Sequence, residues 1–288
     1  MGSVEVSQSA YGEYGKCVHI TNGAVELYAT LELGPRIIRF GKVGGPNEFY
    51  EDKDDNVNHS GDGMYNYFGK EKGDWHIYGG HRLWTSPESF PESYYPDNRP
   101  VEAEYTENGV VLTQEPQKEN GVQFKMEISM NDDGIVSVNH IVENIGEKPL
   151  ELASWALTVM EVGGLEAVPL TKRSPQFLHS RNISLWPYAD PSDKRAEWTK
   201  DFFLLKTTSD TESNFKIGTN NEDGCVYYFN HGNLFIKRFD PFSPDKKYPD
   251  NNVNFETYTS KFIAEVETLS ELTVINPGET VSHRESWQ

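Results

Sequence analysis

The chain has 288 residues, 12% of them aromatic, and its 45 Asp and Glu residues against 26 Lys and Arg residues give a net charge of −19. A surface this negative repels nucleic-acid phosphates and anionic lipid headgroups, so we predict neither nucleic acid nor a membrane as a partner. The first residues carry no basic and apolar signal segment, and no stretch approaches the roughly 18 apolar residues of a membrane span. These observations predict a cytoplasmic protein.

Alternation of apolar and polar residues dominates the chain and predicts β-strands. The runs at 25–33, 122–130 and 135–142 alternate and end in Gly, Pro, Asn or Asp turns. Further strands are predicted at 110–114, 150–160, 215–218, 225–230, 233–239, 253–258, 261–268, 271–275 and 280–287. No amphipathic segment of about 12 residues with helix caps occurs. We therefore predict an all-β fold of large, stacked antiparallel sheets in one domain covering 1–288.

Two stretches interrupt the strand pattern. Residues 51–100 are rich in Asp, Asn, Gly, Tyr and Trp, and residues 165–200 carry Pro, Arg, Trp and Tyr. Long loops in a compact domain are usually functional or disordered, and this aromatic density argues against disorder. We predict that these loops form the site.

Metal and cofactor motifs are absent from the sequence. Cys17 and Cys225 lie in strand-like runs and predict small buried thiols, with no disulfide and no structural zinc site. The carboxylates between residues 51 and 62 could form a calcium site, but a solvated acidic loop is the interpretation we favour. No metal and no cofactor is predicted.

The segment 75–88 concentrates chemistry-bearing side chains. His81 follows two glycines that let the backbone approach a ligand, and Arg82 and Trp84 come directly after it. An aromatic face that stacks on sugar C–H groups and a planar guanidinium that reads hydroxyls are the groups that sugar binding requires. A loop that simply packs its own aromatics is the alternative.

Several segments resemble the aldose 1-epimerase (galactose mutarotase-like) superfamily. The segments are 79–84, 139–150, 185–188 and the stretch from 265 to 287, and they look closest to a bacterial branch of unassigned function. The resemblance implies a β-supersandwich whose concave sheet face holds a sugar. It also implies a general-base Glu, two imidazoles and no cofactor.

The residues that the resemblance implies match in part. Glu267 best fits the general base, Glu265 is the competing candidate on the same strand face, and His81 fits the first imidazole. Trp155 stands where the second imidazole is expected, and His179 is the only nearby replacement. This departure counts against the two-histidine mechanism and favours a binding protein or a glycoside-cleaving enzyme as alternatives.

Other residues are candidates for substrate binding rather than for proton transfer. Lys216 and Lys237 alternate with apolar residues, and if both faced the cleft they would favour an acidic or phosphorylated sugar. Glu256 could face Glu265 or Glu267, which would raise the pKa of one carboxyl, and such a pair would also serve a glycosidase. The remaining binding candidates are Arg36, Arg82, Trp84, Trp155, Trp186 and Tyr188.

The sequence thus predicts a carbohydrate-active protein, most simply an epimerase or mutarotase that acts on a sugar with a Glu base and a His acid. Two alternatives stay open, a non-catalytic carbohydrate-binding protein and an enzyme that cleaves glycosidic bonds with a carboxylate pair. The predicted partner is a small-molecule sugar or an oligosaccharide, and the predicted assembly is a monomer or a homodimer.

Overall fold

The structure is a computed structural model that describes residues 2–288, and strands dominate it. The first strands are β1 (Glu5–Ala10), β2 (Lys16–Thr21), β3 (Val25–Thr30), β4 (Arg36–Lys42), β5 (Asn58–His59), β6 (Trp75–His76), β7 (Gly80–Ser86) and β8 (Glu102–Thr106). The middle strands are β9 (Gly109–Thr113), β10 (Val122–Met130), β11 (Val136–Asn144), β12 (Leu150–Glu161), β13 (Leu165–Pro169), β14 (Ile183–Leu185), β15 (Ala196–Trp198) and β16 (Phe202–Lys206). The last strands are β17 (Phe215–Thr219), β18 (Cys225–Asn230), β19 (Asn233–Phe239), β20 (Phe255–Thr259), β21 (Ile263–Leu269), β22 (Thr273–Ile275) and β23 (Thr280–Trp287).

Two large antiparallel sheets hold nearly all of these strands. Sheet I has the order β1-β2-β3-β4-β7-β12-β21-β20-β17-β14, and β22 pairs with β12 at its side. Sheet II has the order β15-β16-β13-β18-β19-β23-β11-β10-β9-β8. A short pair of β5 and β6 lies outside both sheets.

The main core lies between the two sheets, because strand alternation sends every second side chain there. Ile20, Ile37 and Leu83 from sheet I meet Met126, Val138 and Trp287 from sheet II in one buried cluster. A second apolar cluster lies against the other face of sheet I and includes Met64, Phe68, Trp75, Trp84 and Trp155. That second cluster shows that the outer face of sheet I is covered by the loops rather than open to solvent throughout.

Helices are few and short within residues 2–288. One α-helix spans Asp62–Phe68, three single 3-10 turns span Gly12–Tyr14, Lys70–Lys72 and Glu92–Tyr94, and a helical turn spans Pro249–Asn252. No helix in this part of the chain has the length and apolar character needed to cross a membrane.

The predicted all-β architecture is confirmed, and the strand boundaries shift by a few residues. The run at 25–33 ends as a strand at Thr30, because a bend at 31–35 leads into β4. The interrupted stretch 51–100 carries the α-helix and the short pair of β5 and β6, and the stretch 165–200 carries β13, β14 and β15. Of the second stretch, β13 and β15 belong to sheet II, and β14 with the residues that follow it lies at the edge of sheet I. Residues of both stretches line a cleft on the outer face of sheet I.

Candidate functional site

The site is a cleft on the outer face of sheet I, and strand alternation decides which residues line it. In β7, Arg82 and Trp84 point to the cleft, whereas His81 and Leu83 point to the space between the sheets. In β12, Trp155 points to the cleft from directly opposite Trp84. A shift of one residue along β7 would exchange these two sets of side chains.

The register of three further strands places carboxyl groups side by side on the cleft floor. Glu256 of β20 lies directly opposite Glu267 of β21, and Tyr258 lies opposite Glu265. Lys216 of β17 lies opposite Tyr258, so its side chain shares this face. The pairing thus gathers three glutamates and a lysine that are distant in sequence.

The cleft contains two adjoining compartments that share Glu88, Tyr94, Trp155 and Trp186. The first has a volume of about 330 Å³, and its lining includes Arg82, Lys216 and Glu265. The second has a volume of about 380 Å³, and its lining includes Asp250 and Glu256. Each volume falls at the lower end of the range for small-molecule sites.

Lys216 links the two deepest carboxyl groups. Its Nζ lies 2.9 Å from Glu256 Oε2 and 3.1 Å from Glu267 Oε2, and all three side chains are buried. The ammonium also lies 4.8 Å from the ring centre of Trp155 and 4.7 Å from that of Trp186. Glu267 Oε2 accepts a further hydrogen bond of 2.9 Å from Trp155 Nε1.

If both were ionised, Glu256 and Glu267 would carry two negative charges beside the single positive charge of Lys216. Burial raises the pKa of Glu267 to about 7 despite Lys216, and burial together with Glu267 raises the pKa of Glu256 well above its usual value. Burial lowers the pKa of Lys216, but the negative charges of Glu267 and Glu256 raise it by more than burial lowers it. The net shift is upward, so the lysine keeps its proton. At neutral pH the pair therefore holds an exchangeable proton.

Several buried polar atoms of the cleft have no hydrogen-bond partner among residues 2–288. They are Glu256 Oε1, Glu267 Oε1, Arg82 Nε and Arg82 Nη1. Buried polar groups are normally paired, so unpaired atoms of both kinds, donors and acceptors, indicate a place for a polar ligand.

Arg82 forms the other charged group of the floor. Its Nη2 donates to Glu265 Oε1 at 3.1 Å, and its guanidinium carbon lies 4.5 Å from the ring centre of Trp84 and 5.7 Å from that of Trp75. The guanidinium is thus held in place by an ion pair on one side and by indole rings on the other.

The structure brings together most of the residues predicted for the site. Arg82, Trp84, Trp155, Trp186, Tyr188, Lys216 and Glu265 line the first compartment, and Glu256 lines the second. Glu267 lies beneath Lys216 and Trp155, fully buried, and lines neither compartment. Of the three glutamates of the floor, Glu265 and Glu256 therefore line a compartment, and Glu88 lines the wall that both compartments share.

Sequence reasoning missed several lining residues. Trp75 and Glu88 lie in the segment 75–88, from which only His81, Arg82 and Trp84 were chosen as candidates, and Tyr94 lies in the stretch 51–100 outside that segment. His59 and Tyr258 also line the first compartment. The alternation of β20 places Tyr258 and Glu256 on one face, and this signal could have identified Tyr258.

The expectation that His81 faces the cleft is wrong. Its ring is fully buried between the sheets, where Nδ1 lies 2.8 Å from Thr158 Oγ1 and Nε2 lies 2.5 Å from His140 Nε2. His140 Nδ1 in turn donates to the His283 carbonyl at 2.9 Å. His81 immediately precedes Arg82, and neighbours on a strand point to opposite faces, so the two cannot both line the cleft.

Two further predicted binding residues also lie away from the cleft. Arg36 is fully buried and donates to the carbonyls of Ile77 and Gly79 and to Asp97, so it ties the loop to β4. Lys237 is buried between the sheets, where its Nζ lies 2.9 Å from Glu285 Oε1 and donates to the Val266 carbonyl. His179 is exposed and lines neither compartment.

Comparison with solved structures identifies the architecture. The chain superposes with a TM-score of 0.59 on a galactose mutarotase-like protein from Clostridium acetobutylicum, with 10% identity over 99% of this chain and 98% of that one. A galactose mutarotase-like protein from Lactobacillus casei gives a TM-score of 0.54, with 11% identity over 94% and 99% of the two chains. The fold is the galactose mutarotase-like β-supersandwich. The sequence itself matches no protein-family model and no curated protein.

A galactose mutarotase-like fold at this level of identity says nothing about the reaction, so the reaction has to be inferred from the side chains of this cleft. Across residues 2–288, His59 is the one imidazole that lines the first compartment, and no imidazole lines the second. His59 lies at the mouth and packs against Trp75 and Tyr94. The charged groups of the floor are instead three glutamates, a lysine and an arginine.

A wider depression of about 680 Å³ lies on the outer face of sheet II. Four of its charged side chains, Glu127, Arg238, Asp240 and Arg284, are exposed, and the fifth, Glu285, is buried and paired with Lys237. The cleft of sheet I, by contrast, gathers buried charged side chains, Lys216, Glu256 and Glu267, beneath its cavities.

Proposed function

We propose that this protein is a sugar-directed proton-transfer enzyme of the epimerase or mutarotase type, in which carboxyl groups rather than imidazoles act as the general acid and the general base. The observation that carries the proposal is the pair Glu256 and Glu267 bridged by Lys216, with Glu256 at the wall of a compartment. A carboxyl group that keeps its proton near neutral pH is a competent general acid.

The proposed step transfers one proton in each direction across the sugar. The carboxylate of Glu265 takes the proton of the anomeric hydroxyl, and the carboxylic acid of Glu256 gives its proton to the ring oxygen. The bond between the anomeric carbon and the ring oxygen breaks, and the open-chain carbonyl forms. After rotation of the carbonyl group, the reverse transfers close the ring on the other face.

Glu267 is a positioning residue in this scheme. It does not reach either compartment, but its negative charge beside Glu256 helps to keep the proton on Glu256. Arg82 fixes the carboxylate of Glu265, and its two unpaired nitrogens, Nε and Nη1, would donate to sugar hydroxyls. The aromatic rings of Trp155, Trp186 and Tyr188 would pack against the sugar C–H groups.

The test is the rate of anomer interconversion, measured by polarimetry or by saturation-transfer NMR on freshly dissolved neutral, acidic, amino and phosphorylated aldoses. Glu256→Gln and Glu265→Gln should each slow the protein-dependent rate by about 10²–10⁴-fold. Glu267→Gln should keep activity at low pH and move the alkaline limb of the pH–rate profile to lower pH, because Glu256 then faces Lys216 alone. An unchanged rate in Glu256→Gln would contradict the proposal.

A second candidate function rests on the same two wall carboxyls. A protonated carboxyl and a carboxylate on either side of a sugar are also the groups of a glycoside-cleaving enzyme. This function predicts release of new reducing ends from oligosaccharides, lost in Glu256→Gln. If the protein is a non-catalytic carbohydrate-binding protein, it should bind a sugar and catalyse neither reaction. Glu256→Gln and Glu265→Gln should then still bind that sugar.

A further inference from the structure

The charge of the cleft opposes the acidic-sugar preference that the sequence suggested. That expectation needed both Lys216 and Lys237 in the cleft, and Lys237 lies between the sheets. The cations that remain are Lys216 and Arg82, and each already contacts glutamate. The positive charge of each is therefore already balanced by a glutamate, although Arg82 keeps nitrogens without a hydrogen-bond partner.

The carboxyl groups outnumber these cations. Glu265 and Glu88 line the first compartment, Asp250 and Glu256 line the second, and Glu267 lies directly beneath. Even with one proton held by the Glu256 and Glu267 pair, the five carboxyls exceed the two cations. The surplus lies at Glu88 and Asp250, which have no lysine or arginine partner within ion-pairing distance in residues 2–288.

The local structure holds this surplus at the substrate-facing wall. Glu88 Oε1 accepts a hydrogen bond from Tyr94 Oη, which keeps the carboxylate beside the shared wall of the two compartments. Asp250, Asn251 and Asn252 all have positive φ, and this turn is fixed because Ser184 Oγ donates to the Asp250 carbonyl. Three successive residues in the left-handed region are a costly conformation, which is characteristic of functional segments.

Aromatic rings around the same wall favour a cation as well. Tyr94 and Tyr188 line the first compartment, and no lysine or arginine of the described chain lies over either ring. A substrate ammonium placed there would gain cation–π attraction together with attraction to Glu88.

We propose that the cleft selects a sugar that carries a positively charged amino group, a protonated amino-deoxyaldose, over neutral, carboxylated and phosphorylated sugars. The proposal rests on the proposed function for the identity of the cleft, but it concerns ground-state binding and does not require turnover. The ammonium would lie between Glu88 and Asp250, and the ring would lie over the aromatic walls above Lys216 and Arg82.

The experiment is isothermal titration calorimetry on the full chain at slightly acidic pH. The probes are D-glucosamine, D-glucose, N-acetyl-D-glucosamine, D-glucuronate and D-glucose 6-phosphate. We expect glucosamine to bind about tenfold more tightly than glucose and the two anions to bind most weakly. Added NaCl should reduce the advantage of glucosamine because it screens the partly exposed carboxylates.

Two variants locate the effect. Glu88→Gln should lower the glucosamine-to-glucose affinity ratio by about threefold, and Asp250→Asn should lower it by a similar factor, as for single, partly exposed charges. Glu107→Gln is the matched control, because Glu107 is an exposed glutamate in the β8–β9 hairpin, away from both compartments. It should leave every affinity unchanged.

The outcomes separate this inference from the proposed function. Glucosamine that binds most tightly without any sugar being turned over supports the inference and contradicts the enzyme. Turnover of a neutral or anionic sugar that binds as tightly as glucosamine, or tighter, overturns the inference and leaves the enzyme standing. Absence of detectable glucosamine binding also overturns it.

Discussion

The cleft floor and the polar cluster between the sheets are both built from buried charges, but they differ in how completely these charges are paired. The inter-sheet cluster consists of His81, His140, Lys237, His283 and Glu285 with the hydroxyls of Thr158 and Thr268. Thr268 Oγ1 donates to Glu285 Oε1 and Trp287 Nε1 donates to Glu285 Oε2, so both oxygens of that carboxylate are satisfied. Lys237 Nζ adds an ion pair to the same group.

The imidazoles of this cluster form a consistent chain of hydrogen bonds. His140 donates from Nδ1 to the His283 carbonyl, so its Nε2 is free to accept from His81 Nε2–H. The Thr158 hydroxyl then donates to His81 Nδ1. In the cleft, by contrast, oxygens of Glu256 and Glu267 and nitrogens of Arg82 lack partners.

This difference separates a structural role from a functional one. A fully paired polar network inside a core stabilises one arrangement of the two sheets, whereas unpaired buried atoms at the edge of a cavity lower stability unless a ligand pairs with them. The buried histidines, with Lys237 and Glu285, therefore belong to the fold, and the proposed chemistry rests on the glutamates of the cleft.

The largest expected effect is on stability, and it tests whether the paired charges of the inter-sheet cluster hold the fold together. Lys237→Met removes the only ammonium of residues 2–288 that contacts Glu285 and leaves a buried carboxylate without its counter-ion, which costs about 3–5 kcal/mol of unfolding free energy. Urea denaturation followed by tryptophan fluorescence measures this loss. The double variant Lys237→Met, Glu285→Gln should recover most of it, and a double variant as unstable as the single one would contradict the account.

His283 of the inter-sheet cluster and Glu267 of the cleft floor should contribute to the pH dependence of stability with opposite signs. Burial lowers the pKa of His283 to about 3, so its neutral form stabilises the fold above about pH 6.5 and that stability is lost as the pH falls toward 3. Burial raises the pKa of Glu267 to about 7, so the fold is favoured below about pH 4.5 and loses stability as the pH rises through 7.

Two substitutions test this pH dependence of stability. His283→Gln should flatten the acid side of the stability profile, and Glu267→Gln should flatten the alkaline side by about 2–3 kcal/mol between pH 5 and pH 8. The flattening by Glu267→Gln is partial, because burial also raises the pKa of Glu166 to about 8. Denaturant midpoints across this pH range measure both slopes, and equal slopes in the variants and the wild type would refute the assignment.

The smallest expected effect concerns the hydrogen bond from Trp155 Nε1 to Glu267 Oε2. Trp155→Phe keeps an aromatic ring but removes a donor that favours the charged carboxylate, so the pKa of Glu267 should rise further. We expect a loss of less than about tenfold in the rate and a shift of the pH–rate profile, since one such bond contributes about 1–2 kcal/mol. Trp84→Phe, which removes no bond to Glu267, is the control, and identical profiles in the two variants would count against this role.

The sequence was sufficient for the fold and for most of the cleft. Alternation in the runs at 122–130 and 280–287 predicted strands that the structure contains, and the segment 82–84 supplied two lining residues. Residue spacing could not decide which face of a strand looks outward, because both faces of sheet I are covered and carry polar groups. His81 was misplaced for this reason. Lys237 was misplaced because β19 belongs to sheet II, and its side chain points between the sheets rather than into the cleft. Glu256 gained its importance only from its register with Glu267.

The most direct test of the central claim compares Glu256→Gln with His81→Asn in one set of measurements, anomer interconversion and urea denaturation on the same preparations. The account predicts that Glu256→Gln loses at least about a hundredfold in rate and keeps the stability of the wild type. It predicts that His81→Asn is less stable but turns over at a rate within about threefold of the wild type under conditions where it is folded, because a positioned acid or base contributes at least a hundredfold. A folded His81→Asn variant without activity, beside an active Glu256→Gln variant, would contradict the account.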